Sequence, residues 1–413
     1  MQVGLQPLLN DIHIDAGQTN TQRQLSLGVR AIAAQQEADL PLNLCLVLDH
    51  SGSMNGRPLK TVKQAALDLV DRLSPSDRLS VVAFDHRAKV IVPNQPVENP
   101  DVIKRRIERL EPDGGTAIDK GMQLGIEEAG KGRKDAISQL FVLTDGENEH
   151  GSNERCLKFS QLALEYNMTV NSLGFGAHWN QDVLEQIADY AGGTLTYIEE
   201  PDQAQAAFQQ LLHRAQSVGL TNAHLCIDLD SNVRLADLKP VAQVAPETVE
   251  LNVQWEGQRA IVRLGDLMSE ERIVLVNLYL AQLPPGSHQI ASVSVRYDDP
   301  ASGQTDLLSE TIPVTVESQA KYRPHTNPAV LGAILALAKY RQTQIAETKL
   351  QQGDTAGAAT MLQTAAKTAL QLGDHSAATV LQRSATQLQS DGKLSEADRK
   401  KTRIVSKTVL RSD

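Results

Sequence analysis

Residues 44–53 read Leu-Cys-Leu-Val-Leu-Asp-His-Ser-Gly-Ser. Five apolar residues without polar alternation suit a central strand buried on both faces of a parallel sheet. The run ends at Asp49 and delivers Asp49, Ser51 and Ser53 into a loop. Ligands of open α/β sheets sit beyond the carboxyl ends of such strands, so this loop is in a binding position. One carboxylate and two hydroxyls are hard oxygen donors of the kind Mg²⁺ or Mn²⁺ prefers.

Two more segments carry oxygen to the same kind of place. Asp113-Gly114-Gly115-Thr116 sets a hydroxyl after two flexible glycines and just before a helical stretch. Leu140-Phe141-Val142-Leu143-Thr144-Asp145-Gly146 is a second buried-type strand that ends in a carboxylate. Two strand ends and one Gly-rich helix start can converge on one point of a doubly wound sheet.

In this pattern the chain resembles the von Willebrand factor type A domains. Their metal-ion-dependent adhesion site combines a D-x-S-x-S loop, a separate Thr and a separate Asp. The matching residues are Asp49, Ser51 and Ser53, then Thr116, then Asp145, and no position departs from the pattern. Gly52, Met54 and Thr144-Asp145-Gly146 are similar to bacterial members. The resemblance covers residues 41–217. It implies a cation, Mg²⁺ with Mn²⁺ as the alternative, held directly by the Ser51, Ser53 and Thr116 hydroxyls. Asp49 and Asp145 would act largely through water, and an open coordination position would take a Glu or Asp carboxylate from a partner protein. The residues by themselves also admit a plainer role, in which Asp49 caps the next helix and the serines satisfy loop backbone.

Neighbouring residues are candidates for partner contact: His50, Met54 and Asn55 in the first loop, Glu147 and Asn148 after Asp145, and His178 and Trp179 beyond another strand end. Each has a competing role. Trp179 suits packing beneath the loop, His178 suits ordinary solvation, and Glu147 suits helix capping.

Catalysis is not indicated. An aspartyl phosphotransferase needs a second acid two residues after its nucleophile, and here Ser51 stands there. No G-x-x-x-x-G-K-[ST] loop occurs, Gly174-x-Gly176 lacks the third glycine of a dinucleotide fold, and no G-x-S-x-G elbow surrounds either serine.

The 413 residues are 22% charged and 41% hydrophobic, with a net charge of −10, ordinary for two or three globular domains. Aromatic residues are 3% of the chain, which with the negative charge argues against nucleic-acid binding. The apolar run Ala329–Ala338 is too short to span a bilayer and reads as a packed helix. No signal peptide is evident at the N-terminus. Three scattered cysteines without CxxC spacing suggest neither a disulfide framework nor zinc, and a cytoplasmic location fits them.

Outside 41–217 the pattern changes. Residues 219–318 alternate with period two and carry turn signals at 284–286 and 298–303, which predicts a β-sandwich. Residues 1–38 also read as strands, at Ile12–Asp15 and Arg23–Ala31, and need a sheet to join. They are expected to pair with the later sandwich, making the α/β domain an insertion, an arrangement that resembles integrin β subunits. Residues 325–413 are Ala/Gln/Leu-rich, with turns at Gly353-Asp354, Gly373-Asp374 and Asp391-Gly392. This spacing predicts antiparallel helices, either a bundle or a short helical-repeat array. The basic run from Lys393 to Arg411 reads as a solvated face or as a contact for an acidic protein, nucleic acid or an anionic membrane.

The expected fold is therefore multidomain α/β: a doubly wound Rossmann-like unit inserted in a β-sandwich, followed by a helical domain. The expected function is a non-catalytic adaptor that grips a partner's acidic side chain through Mg²⁺. The alternative is a regulatory or assembly subunit for an AAA+ ATPase of MoxR-like or chelatase-like type, the kind of machine that bacterial relatives often serve.

Overall fold

The computed structural model describes residues 2–32, 40–133 and 136–407. Strands β1 (Gln2–Leu9), β2 (His13–Asp15) and β3 (Asn20–Ile32) come first. The α/β segment follows with β4 (Leu42–Asp49), α1 (Arg57–Val70), β5 (Arg78–Phe84), β6 (Ala88–Pro96), α2 (Pro100–Glu108) and α3 (Ile118–Gly130). It continues through β7 (Ile137–Thr144), α4 (Asn153–Glu165), β8 (Met168–Phe175), α5 (Gln181–Tyr190), β9 (Gly192–Ile198) and α6 (Ala204–Gln216). The chain forms two compact units, one built mainly from Ala33–Asn222 and the other from Gln2–Ile32, Ala223–Tyr297 and Asp306–Asp413.

The first unit holds a six-stranded sheet in the order β6-β5-β4-β7-β8-β9. The β5–β6 pair is antiparallel and the other neighbours are parallel. Every residue of β4 and β7 is buried, as apolar runs without alternation require. Cys45 and Val47 pack toward α3, against Ile118, Met122 and Ile126. Alternation sends Leu44, Leu46 and Leu48 to the opposite face. Phe141 meets Phe208 of α6 edge-on at 6.4 Å. Helix α3 lies close to the sheet because it presents glycine there: a Cβ on Gly121 would stand 2.6 Å from Phe84, and one on Gly125 2.6 Å from Val47.

Helices α2 and α4 escape the sequence reading because their buried faces are thin. Ile103 and Ile107 are the buried residues of α2, and α4 buries Cys156, Ser160 and Ala163. All three cysteines are buried free thiols.

The second unit begins with β1–β3 and resumes with β10 (Val218–Leu229), β11 (Val233–Leu235), β12 (Val241–Ala245), β13 (Val249–Leu251) and β14 (Val253–Glu256). Then come β15 (Arg259–Met268), β16 (Arg272–Ala281), β17 (Gly286–Asp299), β18 (Gln304–Leu308) and β19 (Ile312–Gln319). One sheet runs β1-β3-β16-β12-β13, with β11 also on β16. The other runs β14-β15-β10-β17-β19-β2, with β18 on β17. N-terminal β3 pairs antiparallel with β16 from Val29↔Arg272 to Asn20↔Ala281. Its alternating Leu25, Leu27 and Val29 are fully buried. Asn252 separates β13 from β14, and the chain changes sheets there. Short β11 and β12, and β1 with its Gly4 and Pro7, gave too little alternation to be foreseen.

Helices α7 (Pro328–Gln351), α8 (Thr355–Gln371), α9 (His375–Asp391) and α10 (Glu396–Lys407) close the chain. The apolar run 329–338 packs on the sheet: Val330, Ala333, Leu337 and Tyr340 cover Ala242, Val244 and Leu275. Gly353, Gly373 and Gly392 all take positive φ at helix ends, the left-handed stop that favours glycine. Asp354 and Asp374 then cap the next helices by accepting the Gly357 and Ala377 amides. Because α10 packs on both α9 and α7, the domain is a four-helix bundle. Lys339 is fully buried between helices, donating to Asp374 at 3.0 Å and to the Val405 carbonyl at 2.9 Å.

The C-terminal basic run is not a uniformly solvated face. Arg399 pairs with Glu347, and Lys400 and Lys407 are buried. Met1, residues 33–38 of the expected N-terminal segment and residues 408–413, with Arg411 and Asp413, lie outside the described residues. Among the described residues no helix is long and apolar enough to cross a membrane.

Candidate metal centre

Asp49 ends β4 fully buried, and parallel pairing of Leu48 with Leu143 sets it beside Thr144 at the end of β7. Its Oδ1 accepts the Ser51 amide at 2.8 Å, and its Oδ2 accepts the Thr144 hydroxyl at 2.6 Å. Ser51 Oγ lies 3.0 Å from Ser53 Oγ, and the Ser53 hydroxyl donates to Asp145 Oδ1 at 2.7 Å. The backbone ties the second segment to the first: the Gly52 amide donates to Gly114 O at 2.9 Å and the Asp113 amide to His50 O at 2.8 Å. Thr116 is buried, and its Oγ1 lies so near Gly146 that a Cβ there would be 3.1 Å away. The structure thus brings Asp49, Ser51, Ser53, Thr116 and Asp145 into one cluster at the carboxyl ends of β4 and β7.

Burial pushes the Asp49 carboxyl up to about 6; hydrogen bonds from Thr144 and Ser51 oppose the rise and nearby Asp145 adds to it. Asp145 is also raised by burial, against the Ser53 hydrogen bond and the pull of the His178 imidazole. Two desolvated carboxylates side by side are costly without a positive partner. The surrounding donors are hydroxyl oxygens, so the residues present fit a hard divalent cation. Among the described residues no group of three or more His, Cys, Asp and Glu gathers to hold a metal, so such a site rests on these hydroxyls as well as the two carboxylates.

Three partner-contact candidates are corrected because their side chains turn inward. His50 is 1% exposed, with Nδ1 2.8 Å from Glu111 O and Nε2 3.8 Å from Asp85. Met54 is fully buried. Trp179 lies over Gly174, donates Nε1–H to Gly176 O at 2.7 Å and packs on Tyr197. Asn148 is half-buried and accepts the Ile118 amide at 2.7 Å, fixing the start of α3 behind Thr116. Asn55, Glu147 and His178 are exposed.

Thr144, His86 and His150 were missed as site residues. His86 lies over Gly114 and His150 over Gly115, where an added Cβ would come within about 2.2 Å of either ring. The paired glycines therefore make room for imidazoles as well as for a turn, and Gly114 also needs its positive φ. The adjacent glycines were the available signal; the covering side chains come from distant loops.

Residues 43–211 match the von Willebrand factor type A domain family, and residues 328–412 match the Sll0103-like, C-terminal alpha-helical domain family. The chain is 60% identical to protein sll0103 of Synechocystis sp., over 99% of this chain and 98% of that protein. It is 27% identical to inter-alpha-trypsin inhibitor heavy chain H1 of Mesocricetus auratus, over 58% of this chain but only 29% of that protein. Among solved structures, a von Willebrand factor type A protein from Catenulispora acidiphila superposes with a TM-score of 0.83 at 19% identity, covering 99% of this chain and 97% of that one. The ArnB paralog VWA2 from Sulfolobus acidocaldarius gives 0.58 at 13% identity, covering 98% of both. These two structures share the fold with this chain.

Proposed function

The chain belongs to the Sll0103-like proteins, which join a von Willebrand factor type A domain to a helical C-terminal domain, and on that premise we propose that it is a metal-dependent protein-interaction module. The observation that carries this reading is the convergence of three hydroxyls and two carboxylates, Asp49 buried and Asp145 half-buried, from three separate segments. Ser51, Ser53 and Thr116 would offer oxygen to Mg²⁺ or Mn²⁺, and Asp49 and Asp145 would balance its charge. A cation held there would supply an electrophilic site for a carboxylate of a partner protein. Asp49, whose two oxygens are both engaged, keeps the first loop in shape, and the Asn148 bond to Ile118 holds the start of α3 behind Thr116. Recognition of this kind requires no bond to be broken, in keeping with the absence of an acid–base pair at the expected spacing.

The test is affinity capture from native lysate with the full chain, in Mg²⁺ and in EDTA, for wild type and Thr116→Ala, with Mn²⁺ titration calorimetry alongside. A partner retained only by wild type in Mg²⁺, with metal binding lost in the variant, supports the reading. Identical partners under all four conditions overturn it.

A further inference from the structure

We propose that the outer groove between α8 and α9 is a second interaction surface, one that takes an acidic amphipathic helix of a partner protein. The groove encloses about 750 Å³. Its floor is apolar, made by Ala366, Leu370 and Ala378, and Leu370 is 54% exposed. Lys367, His375 and Arg383 stand exposed along it, with Asp391 as the one acidic lining residue.

The charge pattern identifies the occupant. Elsewhere in the bundle, Lys339, Arg341, Lys349 and Arg399 each have a carboxylate partner. Lys367 and Arg383 have no carboxylate partner among the described residues. Two cations without a carboxylate partner among the described residues, over an apolar floor and on a chain of net charge −10, complement a ligand that is acidic and apolar on one face.

The helical walls favour a helix over an extended peptide. Thr379, Thr386 and Ser390 each donate their hydroxyl to a carbonyl of their own helix. The walls are helices, whose backbone groups are already paired, so an extended peptide would find no edge to bond to. A helix satisfies its own backbone and needs only side-chain contacts, with leucine-like residues toward Leu370 and carboxylates toward Lys367 and Arg383.

The probes are two labelled synthetic helices of about 18 residues, matched in Leu and Ala and differing only in Glu or Lys at the flanking positions. Fluorescence anisotropy against the full chain, in EDTA so that the metal site plays no part, should show the Glu helix binding about tenfold more tightly than the Lys helix. The double variant Lys367→Glu/Arg383→Glu should reverse that order, and Thr379→Trp, which fills the groove from an exposed position, should weaken the Glu helix. Equal binding of both helices, or binding unchanged in the double variant, would overturn the proposal. Self-association of wild type that the double variant abolishes, seen by sedimentation, would also overturn it by assigning the groove to a second copy of this chain.

Discussion

The Ser53 hydroxyl donates to Asp145 across 2.7 Å although 92 positions separate the two residues. The bond is possible because β4 and β7 run side by side in parallel register and end at the same level. The Ser53 and Thr144 hydroxyls both point at these carboxylates and offset part of their negative charge. A cation, if held here, would take its oxygens from Ser53 and Asp145, the same pair that this hydrogen bond joins.

Asp49→Asn removes a buried charge and keeps the shape of the side chain. In EDTA the variant is expected to melt at or above the wild-type temperature. Mg²⁺ should stabilise only the wild type, by about 2.7 kcal/mol at a hundredfold excess over Kd. Differential scanning fluorimetry with and without Mg²⁺ decides it, and an equal shift in both proteins would contradict the assignment of the site.

Thr144→Val is isosteric and removes the hydroxyl that Asp49 Oδ2 accepts at 2.6 Å. A hydrogen bond to a charged group contributes about 1.5–3 kcal/mol, so urea denaturation of the metal-free protein should show a loss of that size. An unchanged midpoint would mean that the bond has no energetic weight.

Gly121→Ala should destabilise by about 1–3 kcal/mol, although alanine is the better helix former. Its Cβ would stand 2.6 Å from the fully buried Phe84 and lift α3, with Thr116 at its head, off the sheet. Metal affinity should therefore fall along with the melting temperature. Gly130→Ala is the control, since its Cβ would meet nothing nearer than Met168 at 4.0 Å.

Asp374→Asn tests the buried pair in the helical bundle. Burial raises the Asp374 carboxyl, but the Ala377 amide, the Lys339 ammonium and the Ser376 hydroxyl outweigh it and hold it below its ordinary value. A carboxyl lowered on folding contributes stability that is present above its unfolded value and lost as pH falls through the folded one. Burial lowers the Lys339 ammonium despite its partner, so its penalty is relieved only as pH rises from the folded value toward 10.5. The variant should cost about 3 kcal/mol at pH 7, and the gap to wild type should close below pH ~3.8. Urea midpoints compared at neutral and acid pH measure it, and a gap of constant size would refute the charge argument.

Strands buried on both faces were the most legible part of this chain. β4 and β7 lie where their residues predict, because the uninterrupted apolar runs Leu44–Leu48 and Leu140–Leu143 leave little freedom of register. Leu25, Leu27 and Val29 likewise announced a half-buried strand in need of a sheet. The grouping of Asp49, Ser51, Ser53, Thr116 and Asp145 was legible because strand ends and loop positions follow from chain order. Side-chain direction within those loops was not. His50 and Met54 sit beside the first loop's donors yet turn inward, held by contacts from residues such as Glu111 and Asp85 far along the chain. Thin helices were hidden for a related reason, since small or sparse buried residues carry little periodic signal.

The pairing of β3 with β16 has a consequence for synthesis. Val29 leaves the ribosome before the α/β segment, but the residue it pairs with, Arg272, follows only after the whole of that segment. That segment carries its own core and local crossovers, and domains of this kind fold as units while the chain is still growing. Strands made before the α/β segment are thus among the last to find their sheet. Until then an alternating apolar strand waits with one edge uncovered, the form of chain most in need of a chaperone.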